Sequence, residues 1–201
     1  MIKTIKELIK ELLKDQHYRI IERADEIVLY GEDEPYPEDY ISIKSFLEKK
    51  EFVVYDGCRN VRYILFKTND ENLAAICGVI KYKRLDDNLI DRVTMKKIAE
   101  CVESEGEQPA LSFITNNFSD SVYSVGVEEY GKISLIKKDD KIDIKYLGKY
   151  IVKDEIIRIA YSVFYNYCLK LKYIKSYYYS NVEKINSYVS IEQVCEWYIF
   201  S

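Results

Sequence analysis

Apolar residues recur in this sequence at two different spacings, in separate blocks, and the order of those blocks limits the fold more than any other feature. Ile5, Leu8, Ile9, Leu12 and Leu13 follow the i, i+3, i+4, i+7, i+8 rule, with Lys6, Glu7, Lys10, Glu11 and Lys14 between them. That is one apolar stripe on a helix over residues 4–15. Period two then takes over: Tyr18 to Arg23 and Glu26 to Tyr30 read as strands joined at Ala24-Asp25. Lys141-Ile142-Asp143-Ile144-Lys145-Tyr146-Leu147 alternates cleanly, as a strand with one buried and one wet face does. Helical spacing returns from Asp154, through Ile156, Ile157, Ala160, Val163, Phe164, Tyr167, Cys168, Leu171 and Ile174.

Between these blocks the expectations are as follows. Residues 42–50 form a short helix with Phe46 and Leu47 turned inward. Phe52 to Tyr55, Val61 to Thr68 and Leu73 to Tyr82 are strands, the last two joined by a hairpin turn at Asn69-Asp70-Glu71-Asn72. A second amphipathic helix covers 88–104, with Asp87 as its N-cap. Leu111 to Thr115, Ser121 to Glu128 and Lys132 to Lys137 are strands that join Lys141 to Leu147 in an antiparallel meander. Ser190 with Gln193 makes a capping box ahead of Val194, Cys195, Trp197 and Tyr198. Helix, strands, helix, strands, helices is the order of an α+β protein: a mainly antiparallel sheet or sheets packed by amphipathic helices, with a long C-terminal helix. No repeat and no linker composition divides the 201 residues, so a single domain over 1–201 is expected.

Charge and cysteine usage narrow the setting. The formal net charge is −4, which disfavours nucleic acid as a partner, because a binding domain for it is ordinarily basic. Lysines interleave with tyrosines between Tyr161 and Tyr179, but in an acidic chain these rings read as a wide core stripe with lysines facing water. The five cysteines, Cys58, Cys77, Cys101, Cys168 and Cys195, are odd in number and never closer than nineteen residues. That spacing fits reduced thiols in a core rather than a disulfide framework or a zinc site. The N-terminus has charges at helical spacing instead of a continuous apolar run, and Leu73 to Ile80 is too short to span a membrane. A cytoplasmic protein without a membrane segment is expected.

Most catalytic chemistry lacks its residues. His17 is the single histidine, in a connector between helix and strand, so it has no imidazole partner for a metal and is a weak base for a Ser or Cys nucleophile. Seven scattered glycines supply no phosphate-binding loop. Asp86-Asp87 and Asp139-Asp140 are paired acids at turns, without calcium-loop spacing. No cofactor and no metal are expected, and the leading reading is non-catalytic. The alternatives are an enzyme that uses dispersed carboxylates with arginines such as Arg59 and Arg62, or a subunit of a larger assembly.

One loop concentrates the groups that meet a partner. Glu32, Asp33, Glu34, Glu38 and Asp39 put five carboxylates beside Tyr36 and Tyr40, and Pro35 and Pro37 limit the backbone. Such a loop has little entropy to lose on binding and offers steering charge with aromatic anchors. Glu128, Glu129 and Tyr130 at a hairpin turn form a second candidate. The expected partner is another protein with a basic surface.

The acidic Glu32–Tyr40 loop, with the run from Asp120-Ser121-Val122-Tyr123 through Val163-Phe164-Tyr165-Asn166-Tyr167, resembles the immunity proteins that neutralise bacterial polymorphic toxins. The resemblance lies in the style of a small, acidic, tyrosine-rich α+β chain. It implies stoichiometric capture of a cognate toxin without catalysis.

Overall fold

The computed structural model describes residues 2–14, 16–33, 35, 37–59, 61–83, 91–185 and 188–200, with the backbone alone at 2–4. Its elements fall into two compact units, and the α+β reading with antiparallel strands and a long helix near the C-terminus holds.

The first unit is built around a five-stranded antiparallel meander: β1 (Tyr18–Glu22), β2 (Glu26–Gly31), β3 (Asp39–Phe46), β4 (Glu51–Cys58) and β5 (Val61–Thr68), side by side in chain order. Short links make consecutive strands neighbours; Arg59-Asn60 joins β4 to β5, and Arg59 takes the left-handed conformation at φ 54. Ile27, Ile43, Val54 and Phe66 lie opposite one another across four strands, a continuous apolar row. Helices α1 (Ile2–Leu12) and α2 (Glu71–Tyr82) belong to this side. Gly78 of α2 sits so close that a Cβ there would come within 2.8 Å of Ile43 Cδ1. Lys6 of α1 pairs with Glu22. Phe66 meets Trp197 with ring centroids 5.6 Å apart. The opposite face carries Tyr30, Tyr40, Gly57 and Arg62 in one row.

The second unit holds α3 (Arg92–Ser104), α4 (Glu107–Asn117), a four-stranded sheet and most of α5 (Ile157–Ser180). In the sheet, β6 (Tyr123–Val125) runs parallel to β7 (Ile133–Lys138), while β8 (Lys141–Tyr146) and β9 (Lys149–Ile156) add antiparallel. Ile133, Leu135, Ile142 and Ile144 are buried, as are Phe164, Cys168 and Leu171 of α5. On the other side of β8, Asp143 is fully buried; it pairs with Lys138 and accepts the N–H of Asp154 at 2.9 Å. Burial pushes its carboxyl up, but the Lys138 ammonium and the Asp154 N–H outweigh burial and hold it below the ordinary aspartate value.

Several sequence expectations are overturned in detail. Residues 42–46 continue β3, followed by a 3₁₀ turn over Leu47–Lys49, and Leu47 is 67% exposed instead of turned inward. Leu73 to Tyr82 is helix α2, not a strand. Asp70 caps it, accepting from the N–H groups of Asn72 and Leu73 at 2.9 and 3.1 Å, so the polar run before it is a helix start and not a hairpin. Leu111 to Thr115 lies inside α4. The Ser121–Glu128 strand shrinks to three residues and pairs in parallel, not in a meander. Helix α3 starts at Arg92 with Asp91 as its cap; Asp86 and Asp87 lie outside the described residues. Asp154 does not start the long helix. It occupies an irregular position in β9 with φ 52, and α5 begins at Ile157. The capping box forms as expected: Gln193 accepts from the Ser190 N–H at 3.0 Å and Ser190 Oγ accepts from the Gln193 N–H at 3.3 Å, between the one-turn α6 (Val182–Ile185) and α7 (Ile191–Phe200).

Candidate functional site

The acidic loop links β2 to β3 at one end of the first sheet. Glu32 and Asp33 follow Gly31 and are exposed, Glu38 and Asp39 are exposed where β3 begins, and Tyr40 is half-buried. Glu34 and Tyr36 lie outside the described residues. Three interactions hold the loop. Glu32 Oε2 is 2.8 Å from Nδ1 of the solvent-facing His17. The Arg59 backbone N–H donates to the Glu38 carbonyl. The Asp39 carboxylate hydrogen-bonds the thiol of Cys58, its register partner, and raises the thiol's pKa. The loop is thus fixed at the β2 end, at the β3 end and to the β4–β5 turn.

Tyr40 carries the loop onto the sheet face opposite that of Ile27, Ile43 and Val54. Its ring lies across Gly57, where a Cβ would fall 2.2 Å from the ring, so only glycine fits opposite it. Its hydroxyl accepts from Arg62 Nε at 2.9 Å. The Arg62 guanidinium lies 5.6 Å from the Tyr40 ring centroid and 5.9 Å from that of Tyr55. Arg62 Nη1 donates to Glu26 Oε1 at 2.7 Å, and Arg23 Nη1 meets Glu26 Oε2 at 3.1 Å. Glu26 is only 3% exposed and is satisfied by both arginines. Reading the sequence missed Glu26. Arg62 lies 36 residues away, and only the strand register brings the two together.

Arg59 and Arg62, the arginines named for a dispersed-carboxylate enzyme, both lie beside this loop. Arg59 gives it a backbone donor, and Arg62 is engaged by Glu26 and Tyr40. Among the described residues no group of three or more His, Cys, Asp and Glu is placed to hold a metal ion. None of their helices is long and apolar enough to cross a membrane.

Glu128, Glu129 and Tyr130 fall in the β6–β7 connection of the second unit. Lys145 pairs with Glu128 at 3.0 Å and Lys132 with Glu129 at 2.6 Å. Ser124 Oγ donates to the Val127 carbonyl at 2.9 Å, and Lys175 Nζ to the Gly131 carbonyl at 2.9 Å. Gly126 and Gly131 take φ of 82 and 72, the left-handed conformations this turn requires. Beside the exposed Glu128 and Glu129, the loop turns two large apolar side chains to solvent: Tyr130 is 78% and Val127 57% exposed. Val127 was not anticipated, because a single valine in a strand-like run carries no sign of its exposure.

The chain matches no family model, no curated protein and no solved structure.

Proposed function

We propose that this chain is a non-catalytic binding module that captures another protein with a basic surface, as an immunity protein captures its toxin. The observation that carries the reading is the cluster of four exposed carboxylates, Glu32, Asp33, Glu38 and Asp39, on the β2–β3 loop. His17 holds Glu32, Cys58 holds Asp39 and the Arg59 N–H holds the Glu38 backbone, so the ends of the loop lose little freedom on association. The shared sign of the four acids speeds the approach of a cationic surface. Glu34, Tyr36 and Tyr40 belong to the same stretch. Glu128, Glu129 and Tyr130 supply a separate contact in which paired charges orient an exposed ring.

Affinity capture on the full chain from its native lysate, at low and moderate salt, tests this. The expected result is one stoichiometric basic protein that is lost as salt rises. It is also lost when Glu32, Asp33, Glu38 and Asp39 are changed together to their amides. Equal capture by wild type and by that amide variant overturns the assignment of this loop.

A further inference from the structure

The helices of this protein are anchored very unequally, and α3 is the extreme case. Helix α2 buries every residue from Leu73 to Ile80, and α5 buries Phe164, Cys168, Leu171 and Ile174. Of the thirteen residues of α3, Ile98 alone is buried. Met95, Ala99, Cys101 and Val102 are half-buried, and Val93 is 67% exposed. A helix in a folded protein draws most of its stability from the apolar face it packs, and α3 has little of that support.

What ties α3 to α5 is polar. Ser162 Oγ donates to the Met95 carbonyl at 2.8 Å. The Tyr165 hydroxyl donates to Asp91 Oδ2 at 3.4 Å, while Asp91 Oδ1 accepts the Thr94 N–H at 2.9 Å as the cap of α3. Toward the other end, Arg158 pairs with Glu103, and both side chains are more than half exposed. Arg158, Ser162 and Tyr165 form one stripe along α5 at helical spacing. When such groups separate they regain water, so each tie contributes little net stability.

Helix α4 is fastened independently. Glu107 in its first turn accepts from the Tyr161 hydroxyl at 3.2 Å and from Lys137 Nζ at 2.7 Å, and Ala110 and Ile114 are buried. Between the two helices stands Gly106, with φ 95, where a Cβ would meet nothing within 4 Å. Packing therefore does not hold this junction, and α3 can leave without carrying α4 with it.

We propose that α3 is a detachable strap: it opens from α5 as a local unit, with α4 and the four-stranded sheet still folded, and uncovers the Ser162 and Tyr165 hydroxyls. Elements with few buried apolar groups open at free energies well below that of global unfolding. The proposal does not depend on the acidic-loop reading.

Amide hydrogen exchange of the full chain, read by mass spectrometry where exchange follows the opening equilibrium, tests this. Residues 96–104 should be about a hundredfold less protected than 160–174 of α5, and about tenfold less than 111–117 of α4. Low concentrations of urea should speed exchange steeply in α5 and hardly at all in α3, because a local opening exposes little surface. Ser162→Ala and Tyr165→Phe each remove one tie, and the second keeps the ring contacts with Phe113 and Phe118. Each should speed exchange in α3 severalfold and leave α5 and β7 to β9 unchanged. Protection of α3 equal to that of α4 or α5, a urea dependence in α3 as steep as in α5, wild-type exchange in either variant, or a uniform rise across the second unit would overturn the proposal.

Discussion

Cys58 and Asp39 face each other at the end of the first sheet, and the thiol of the exposed Cys58 is raised chiefly by its hydrogen bond to the Asp39 carboxylate. The thiolate is the reactive form, so Cys58 should alkylate slowly for an exposed cysteine near pH 8. Asp39→Asn removes the carboxylate that raises the thiol and should accelerate the reaction, read as iodoacetamide labelling of the Cys58 peptide by mass spectrometry. An unchanged rate would mean that the Asp39–Cys58 contact does not persist in solution. Buried Cys77 and Cys168, both pushed well up by desolvation, should stay unlabelled in the folded protein. At this scale the sequence was informative where chemistry is local. The acids and prolines between Glu32 and Asp39 announce a surface loop by themselves. Glu26 could not be read: it stands at the start of an apolar strand, and its burial becomes legible only when β5 brings Arg62 against it.

At the scale of elements, legibility followed the contrast between faces. Helix α1 has a wet side and the capping box of α7 a polar signature, and both were readable. Strand β8 was readable as a strand, but its expected wet face is not wet, because Asp143 is fully buried and Lys141 and Lys145 are only part-exposed. Helix α2 was not readable, because Leu73 through Ile80 are all buried; a helix apolar on every side loses the period that distinguishes it from a buried strand. Strand β9 was hidden by its irregular pairing at Asp154, where an extra residue breaks the alternation and the residue takes a positive φ. Helix α2 gives a direct check. Asp70→Ala removes the acceptor for two N–H groups and should cost about 1 kcal/mol in urea unfolding. Asp70→Ser should recover most of that loss, whereas a strand at this position would be indifferent to either change.

For the molecule as a whole, the modest net charge of −4 conceals a separation of sign within the first sheet. Carboxylates crowd the β2–β3 loop, Arg59, Arg62 and Lys67 outnumber Glu51 and Asp56 on the β4–β5 hairpin, and the Arg59–Glu38 backbone bond joins the two. Composition gave the acidic total and the tyrosine excess but could not place either, because the placement is set by register. The second unit adds a loop whose acids pair with Lys132 and with Lys145 of β8, and which exposes Val127 and Tyr130 beside them. The measurement that tests the central claim most directly is the association rate with the captured basic partner across ionic strength. Wild type should associate fast at low salt and slow steeply as salt screens the loop. The amide variant of Glu32, Asp33, Glu38 and Asp39 should lose most of both the rate and its salt dependence. An amide variant that associates as fast as wild type at low ionic strength would contradict the account.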